Sequence, residues 1–209
     1  MQRRSPVDKL VLSMNELTPD TRASLLGKLK ESENSCAWND FTEIYVPVIR
    51  RTALRMGLQN ADADNVVQDV LLVVSQAIHQ WLDRPERGSF RAWLFRIAKN
   101  KALDLLTRKA TRPENAPNRH WESIADRDTA ISSFWESEYR LELFSRAAKE
   151  IQKAVSESTW QAFWMSTVEA VPIKQVAEKL GVREGVVYLS RCRVLNRIRT
   201  LVKQWENAS

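Results

Sequence analysis

The chain has 209 residues, 44% of them hydrophobic, which suffices for one large domain or two small cored ones and excludes wholesale disorder. Its 32 Lys+Arg against 26 Asp+Glu leave a formal charge of +6, which favours an anionic partner without naming it. Cys36, Cys192, His79 and His120 form no CxxC or Cys/His cluster, so no metal site, cofactor or disulfide framework is expected. No apolar run reaches the length of a signal peptide or a membrane span, and the expected setting is the reducing cytoplasm.

Five glycines and scarce strand-like alternation predict an all-α protein. Residues 1–20, with Arg3, Arg4, Pro6 and Pro19, have weak periodicity and are expected to be a mobile segment, with Met14 as a second candidate start. Thr21 to Lys30 reads as a short helix with Leu25, Leu26 and Leu29 inward. From Ala37 apolar residues recur at steps of three and four (Trp38, Phe41, Tyr45, Val48). Pro47 is expected to kink or restart that helix because it has no amide donor, and Gly57 to stop it. Asp62 or Asp64 is a candidate cap for the next helix, whose stripe is Val66, Val70, Val74 or Val73, Ala77 and Trp81. Between Asn60 and Gln80 this helix carries Asp62, Asp64 and Asp69 and no Lys or Arg, an acidic element in a basic chain.

Arg84 to Ser89 (RPERGS) reads as a loop leading into Phe90 to Lys109, an apolar and basic helix without Gly or Pro. Phe90, Trp93, Leu94 and Ile97 share one side, the stripe drifts toward Ala98, Ala102, Leu105 and Leu106, and Arg96, Lys99, Asn100 and Thr107 gather on the side left over. Between Phe90 and Arg112 seven cations stand against one anion, a local balance of +6. From Thr111 the pattern dissolves into a stretch rich in Pro and Asn, read as a linker over 111–133 without regular structure, which makes two domains the better division.

Helical spacing resumes near Trp135. Ser158 or Thr159 is a candidate cap for a helix with Trp160, Phe163 and Trp164, of which two are expected in the core and one at a partner. Pro172 opens a short helix with Ile173, Val176, Ala177 and Leu180 inward, Gly181-Val182 turns, and a last helix from about Arg183 to Lys203 buries Val187, Val194, Ile198 and Leu201. The spacing is that of a helix-turn-helix with Arg183, Glu184, Tyr188 and Arg191 exposed near the start of its second helix. Arg193 and Arg197 are expected at phosphate or solvent.

Three blocks in this order resemble the small extracytoplasmic-function (ECF) sigma factors, two-domain promoter-recognition subunits of bacterial RNA polymerase. The first is Trp38-x-x-Phe41-x-x-x-Tyr45-x-Pro47 followed by Asp62-Ala63-Asp64-Asn65-Val66-Val67-Gln68-Asp69-Val70. The second is Phe90-Arg91-Ala92-Trp93-Leu94-Phe95-Arg96-Ile97-Ala98-Lys99-Asn100 with Asp104. The third is Ile173-x-x-Val176-Ala177-x-x-Leu180-Gly181-Val182-x-x-Gly185-x-Val187 with Arg191-x-Arg193-x-Leu195.

The resemblance implies a region 2-like domain over 21–110, the linker over 111–133 and a region 4-like helix-turn-helix domain over 134–205. It implies core polymerase as a partner, bound through Asp62, Asp64, Gln68 and Asp69. Promoter DNA is the other partner: the unpaired non-template strand of the minus-ten element at Arg84, Gly88, Ser89, Arg96, Lys99, Asn100 and Lys101, and duplex at the minus-thirty-five element at Arg183, Glu184, Tyr188, Arg191 and Arg193. It leaves open whether an anti-sigma protein holds the factor. A stand-alone helix-turn-helix regulator is the alternative; it would bind duplex DNA without polymerase. An enzyme has no support, since the chain shows no nucleophile constellation and no Gly-rich phosphate loop.

Overall fold

Helical periodicity without strand-forming alternation gives a chain built of helices. In a computed structural model, which describes residues 23–29, 35–84, 88–110 and 124–207, eight helices and no strand are present among the described residues. They are α1 (Ala23–Leu29), α2 (Ser35–Arg55), α3 (Asn60–Leu82), α4 (Phe90–Ala110), α5 (Ile124–Lys153), α6 (Glu157–Thr167), α7 (Ile173–Leu180) and α8 (Glu184–Asn207). The expected mobile segment over 1–20 lies outside the described residues. The chain divides into two compact units, cut between Tyr139 and Arg140.

The first unit is organised by Phe90, fully buried, whose ring meets Phe41 at 6.1 Å, Tyr45 at 5.9 Å, Trp81 at 5.3 Å and Trp93 at 5.5 Å between centroids. α2, α3 and α4 pack against one another around this aromatic hub, and α1 seals it with Leu26 and Leu29. On α3 the buried stripe is Val66, Val70, Val74, Ile78 and Trp81, with Ile78 where Ala77 was expected; Ala77 is half-buried. Along α4 the buried apolar residues are Phe90, Leu94, Ala98 and Ala102, each four positions on and so turned about 40° from the last, which is the drift read from the sequence.

Local signals act with some displacement. α2 runs through Pro47 without restarting; the proline's missing donor costs it one hydrogen bond, and Tyr45, Val48 and Ile49, all buried, hold the turns on either side against the core. It ends at Gly57, φ +103°, where Leu58 N–H returns to the Ala53 carbonyl at 3.2 Å. α3 begins earlier than expected. Gln59 is its cap residue without a side-chain bond, so neither Asp62 nor Asp64 caps it. Ser156, not Ser158 or Thr159, caps α6, its Oγ accepting from Thr159 N–H.

The expected linker is shorter than its sequence suggested. α5 starts at Ile124, so residues 124–133 are helical. Physically, Phe134, Trp135 and Tyr139 supply an apolar face for this helix on the first unit. Trp135 is 1% exposed with its ring 5.5 Å from Phe95, Tyr139 stacks on Tyr45 at 5.6 Å, and Arg55 lies over the Phe134 ring. Glu138 pairs with Arg51 and Glu136 with Arg91. The first unit thus runs to Tyr139, beyond the expected limit at 110.

In the second unit α6 and α7 pack on α8 around Ala162, Met165, Val176, Ala177 and Val187. Gly181 terminates α7 in the left-handed region, φ +65°, and Val182 N–H closes the turn onto the Ala177 carbonyl at 3.0 Å. Of the aromatics on α6, Trp160 and Phe163 are buried and Trp164 is at the surface. Val202, not Leu201, is the last fully buried residue of α8.

Candidate nucleic-acid interface

Burying Phe90, Leu94, Ala98 and Ala102 leaves the opposite side of α4 to solvent. Arg96 and Asn100, one turn apart, are exposed there, and Lys99 lies half-buried beside them. Lys101, turned about 100° from Asn100, sits half-buried at the flank of this face. At the N-terminal end Arg84 and Gly88 are exposed, and the Ser89 carbonyl accepts the Trp93 N–H at 3.1 Å. Gly88 has φ +64°, a conformation in which a side chain is strained, so the turn that delivers the chain to α4 needs this glycine. Residues 85–87 of the expected loop lie outside the described residues. Trp93 is half-buried and stacks on Trp81 at 5.6 Å between centroids and 28° between planes, which places it in the core wall.

The local charge of +6 overstates what this face presents. Arg91 is buried, its guanidinium 3.7 Å from Glu136 and 4.7 Å over the Tyr139 ring. Burial opposes its charge, but Glu136 and the Tyr139 and Tyr45 hydroxyls more than offset that, and its pKa is raised. Lys109 is spent on an ion pair with Asp62 that ties the start of α3 to the end of α4.

That ion pair also revises the acidic helix. Asp62 is 9% exposed and does not face solvent. Asp64 accepts from Arg50 Nε at 2.7 Å. Both carboxylates therefore hold α3 to its neighbours. Gln68 and Asp69 remain exposed, and beside Asp69 stands Leu72, 57% exposed, which periodicity alone did not single out. Its signal in the sequence is an apolar residue off the Val66–Val70–Val74 stripe.

On α8, Arg183 just before the helix and Glu184 in its first turn are exposed, Tyr188 is 54% exposed, Arg193 is exposed and Arg191 is half-buried. Arg197 is exposed, and its guanidinium also donates to the Ala154 carbonyl at 3.1 Å, capping the end of α5. Val186 and Leu189, 46% and 66% exposed, were not singled out by sequence reasoning. The exposed cations Arg183, before α8, and Arg193, within it, thus flank these apolar residues.

Residues 41–112, which run from α2 through α4, match the family described as Sigma-70 region 2. An ECF RNA polymerase sigma factor, RpoE of Cereibacter sphaeroides, is 26% identical over 178 residues, covering 84% of this chain and 92% of the relative. The RNA polymerase sigma factor CnrH of Cupriavidus metallidurans is 32% identical over 90 residues, 43% of this chain and 45% of the relative. The ECF RNA polymerase sigma factor SigE of Mycolicibacterium smegmatis is 20% identical over 154 residues, 72% of this chain and 56% of the relative. The region 2 match over α2 to α4, together with relatives named as sigma factors, supports a sigma factor, in keeping with the helices found among the described residues. Within that class the relatives named ECF RNA polymerase sigma factors support the extracytoplasmic-function group.

Proposed function

We propose that this sigma factor divides its work between the two units along the surfaces described above. As a member of its family it binds core RNA polymerase, directs promoter recognition and initiation, and performs no catalysis of its own. The first unit holds the unpaired non-template strand of the minus-ten element. Asn100 presents an amide able both to donate to and accept from a base edge, and Arg96, Lys99 and Lys101 neutralise phosphates. Arg84, Gly88 and Ser89 border the same strand at the helix start. Removing a base from its stack costs a few kcal/mol, which such contacts offset. The observation that carries this reading is the exposed pair Arg96 and Asn100, with half-buried Lys99 beside them, on a helix whose other side is locked by the Phe90 hub.

Core polymerase docks on α3 through Gln68, Asp69 and Leu72, the charge setting encounter and register and the leucine supplying buried area. Asp62 and Asp64 act here by positioning the helix. An anti-sigma protein, where one holds this factor, would act by covering that same face. The second unit reads duplex at the minus-thirty-five element: Arg183, Glu184 and Tyr188 at base edges, Arg193 at phosphate, and Arg191, half-buried, at the margin.

Transcription by core polymerase with this protein on genomic DNA is the test. It should yield transcripts sharing an upstream motif, and the protein alone should bind none of those promoters tightly. Asp69→Arg should weaken polymerase binding by about tenfold or more, most at low salt; equal affinity at every salt concentration would place docking elsewhere. Asn100→Ala should keep polymerase binding while lowering open-complex formation about tenfold or more, the scale of one lost base contact. If both fall together, Asn100 serves the fold and not the strand.

A further inference from the structure

The exposed surface of α8 contains two features that the fold of the chain does not require. The first is Leu189, the most exposed of the large apolar side chains among the described residues at 66%. The buried side of α8 is set by Val187, Val194 and Ile198, and at 100° per residue Leu189 projects almost directly away from it. The second is Gly185, one turn earlier on the same outward side. Gly185 has helical backbone, not the left-handed conformation that favours glycine, and a Cβ added there would meet nothing within 4 Å. A helical surface glycine with space for a methyl group weakens its helix relative to alanine, with no return from packing. Its use must lie in something that approaches the backbone from outside.

Leucine side chains on a helix lean toward the preceding turn, so Leu189 leans over Gly185 and beside Val186, which is 46% exposed. The result is a shallow apolar notch: a leucine wall, a valine rim and a floor of bare backbone at Gly185. Arg183 before it and Arg193 after it are exposed cations. A notch of this size between cations fits a small apolar group carried on a polyanion. In the major groove the only such group is the 5-methyl of thymine.

We propose that Gly185, Val186 and Leu189 form a thymine-methyl pocket, making the preference for thymine at one or two adjacent positions of the upstream element a property of packing and not of hydrogen bonding. The inference rests on the reading of α8 as the duplex-contacting helix and adds its specificity. The Glu184, Tyr188 and Arg183 side chains read their bases independently of it.

The test uses holoenzyme and duplex promoters whose upstream element has first been defined by selection from random-sequence duplexes. Each thymine is then replaced singly by deoxyuridine, which removes only the methyl group. At one or two positions binding should weaken about fourfold, the factor for one buried methyl-sized group. Leu189→Ala should bind thymine and deoxyuridine versions equally. Gly185→Ala should weaken promoter binding while raising the melting temperature by a few degrees, a combination that a structural role cannot give. Deoxyuridine without effect at every position, or a Leu189→Ala protein that still distinguishes the two bases, would overturn the pocket. The parent reading is checked separately: if Arg183→Ala and Arg193→Glu both leave upstream protection by holoenzyme intact, α8 does not contact the duplex and the pocket falls with it.

Discussion

Trp135→Ala should cost the folded chain about 3–5 kcal/mol, the range for truncating a fully buried large aromatic. The residue is 1% exposed, packs its ring on Phe95, and sits between Phe134 over Arg55 and Tyr139 on Tyr45. Domain stabilities of about 5–15 kcal/mol leave little after such a loss, so the variant should melt early and expose its core to protease. Trp135→Phe is the control. The Trp135 indole N–H has no hydrogen-bond partner among the described residues, so phenylalanine keeps the ring contact and gives up no bond, with an expected cost of about 1 kcal/mol. Urea unfolding followed by circular dichroism would measure both. Wild-type stability in the alanine variant would mean that the start of α5 is not a structural part of the first unit.

Promoter binding by the holoenzyme should fall steeply with salt, and the proposed contacts name the cations that would carry the slope. Arg96, Lys99 and Lys101 on α4 and Arg193 on α8 are proposed at phosphates, and Arg183, just before α8, at a base edge. About four neutralised phosphates, three on the single strand and one on duplex, predict a log–log slope of about −3, roughly a 60-fold loss for each fourfold rise in salt. Arg96→Gln should reduce the slope by about one. Arg91→Gln should leave it unchanged, because that guanidinium is buried against Glu136 and Tyr139, and should lower stability instead. A flat salt profile would contradict promoter binding through these helices, and a slope lowered by Arg91→Gln would mean that the Glu136 contact opens when DNA binds.

Helix positions and core faces were legible because burial on one side imposes a 3.6-residue period, and Phe41, Tyr45, Val66, Val70, Phe90 and Val187 all follow it. What periodicity does not encode is the partner chosen by a charged side chain. Asp62 and Asp64 sit in an acidic cluster in the sequence, yet one is paired with Lys109, 47 positions away, and the other with Arg50, 14 away. Arg91, one of the seven cations counted along α4, likewise turns out to be buried against Glu136, and the exposed Arg197 adds a bond to the Ala154 carbonyl. The start of α5 was missed for a related reason. Between Arg112 and Ala130 the sequence has no apolar repeat of its own, and the helix is fixed further along by Trp135 and Tyr139, whose companions Phe95 and Tyr45 lie far back in the chain. Leu72 and Leu189 were passed over because attention to the buried stripe leaves off-stripe apolar residues unread.

Among the described residues each unit holds one stacked pair of indoles: Trp81 on Trp93 at 5.6 Å and 28°, and Trp160 on Trp164 at 5.5 Å and 30°. Transition dipoles this close couple, splitting the strong ultraviolet absorption of each pair into a signed doublet whose shape follows the angle between the rings. One member of each pair, Trp93 or Trp164, reaches the surface of its unit, while the other is buried. The protein therefore carries an optical gauge in each unit without any added dye, one on the helix of Asn100 and one on α6. With Trp93→Phe or Trp164→Phe to silence either doublet, the arrival of DNA and of polymerase could be watched as separate events in time.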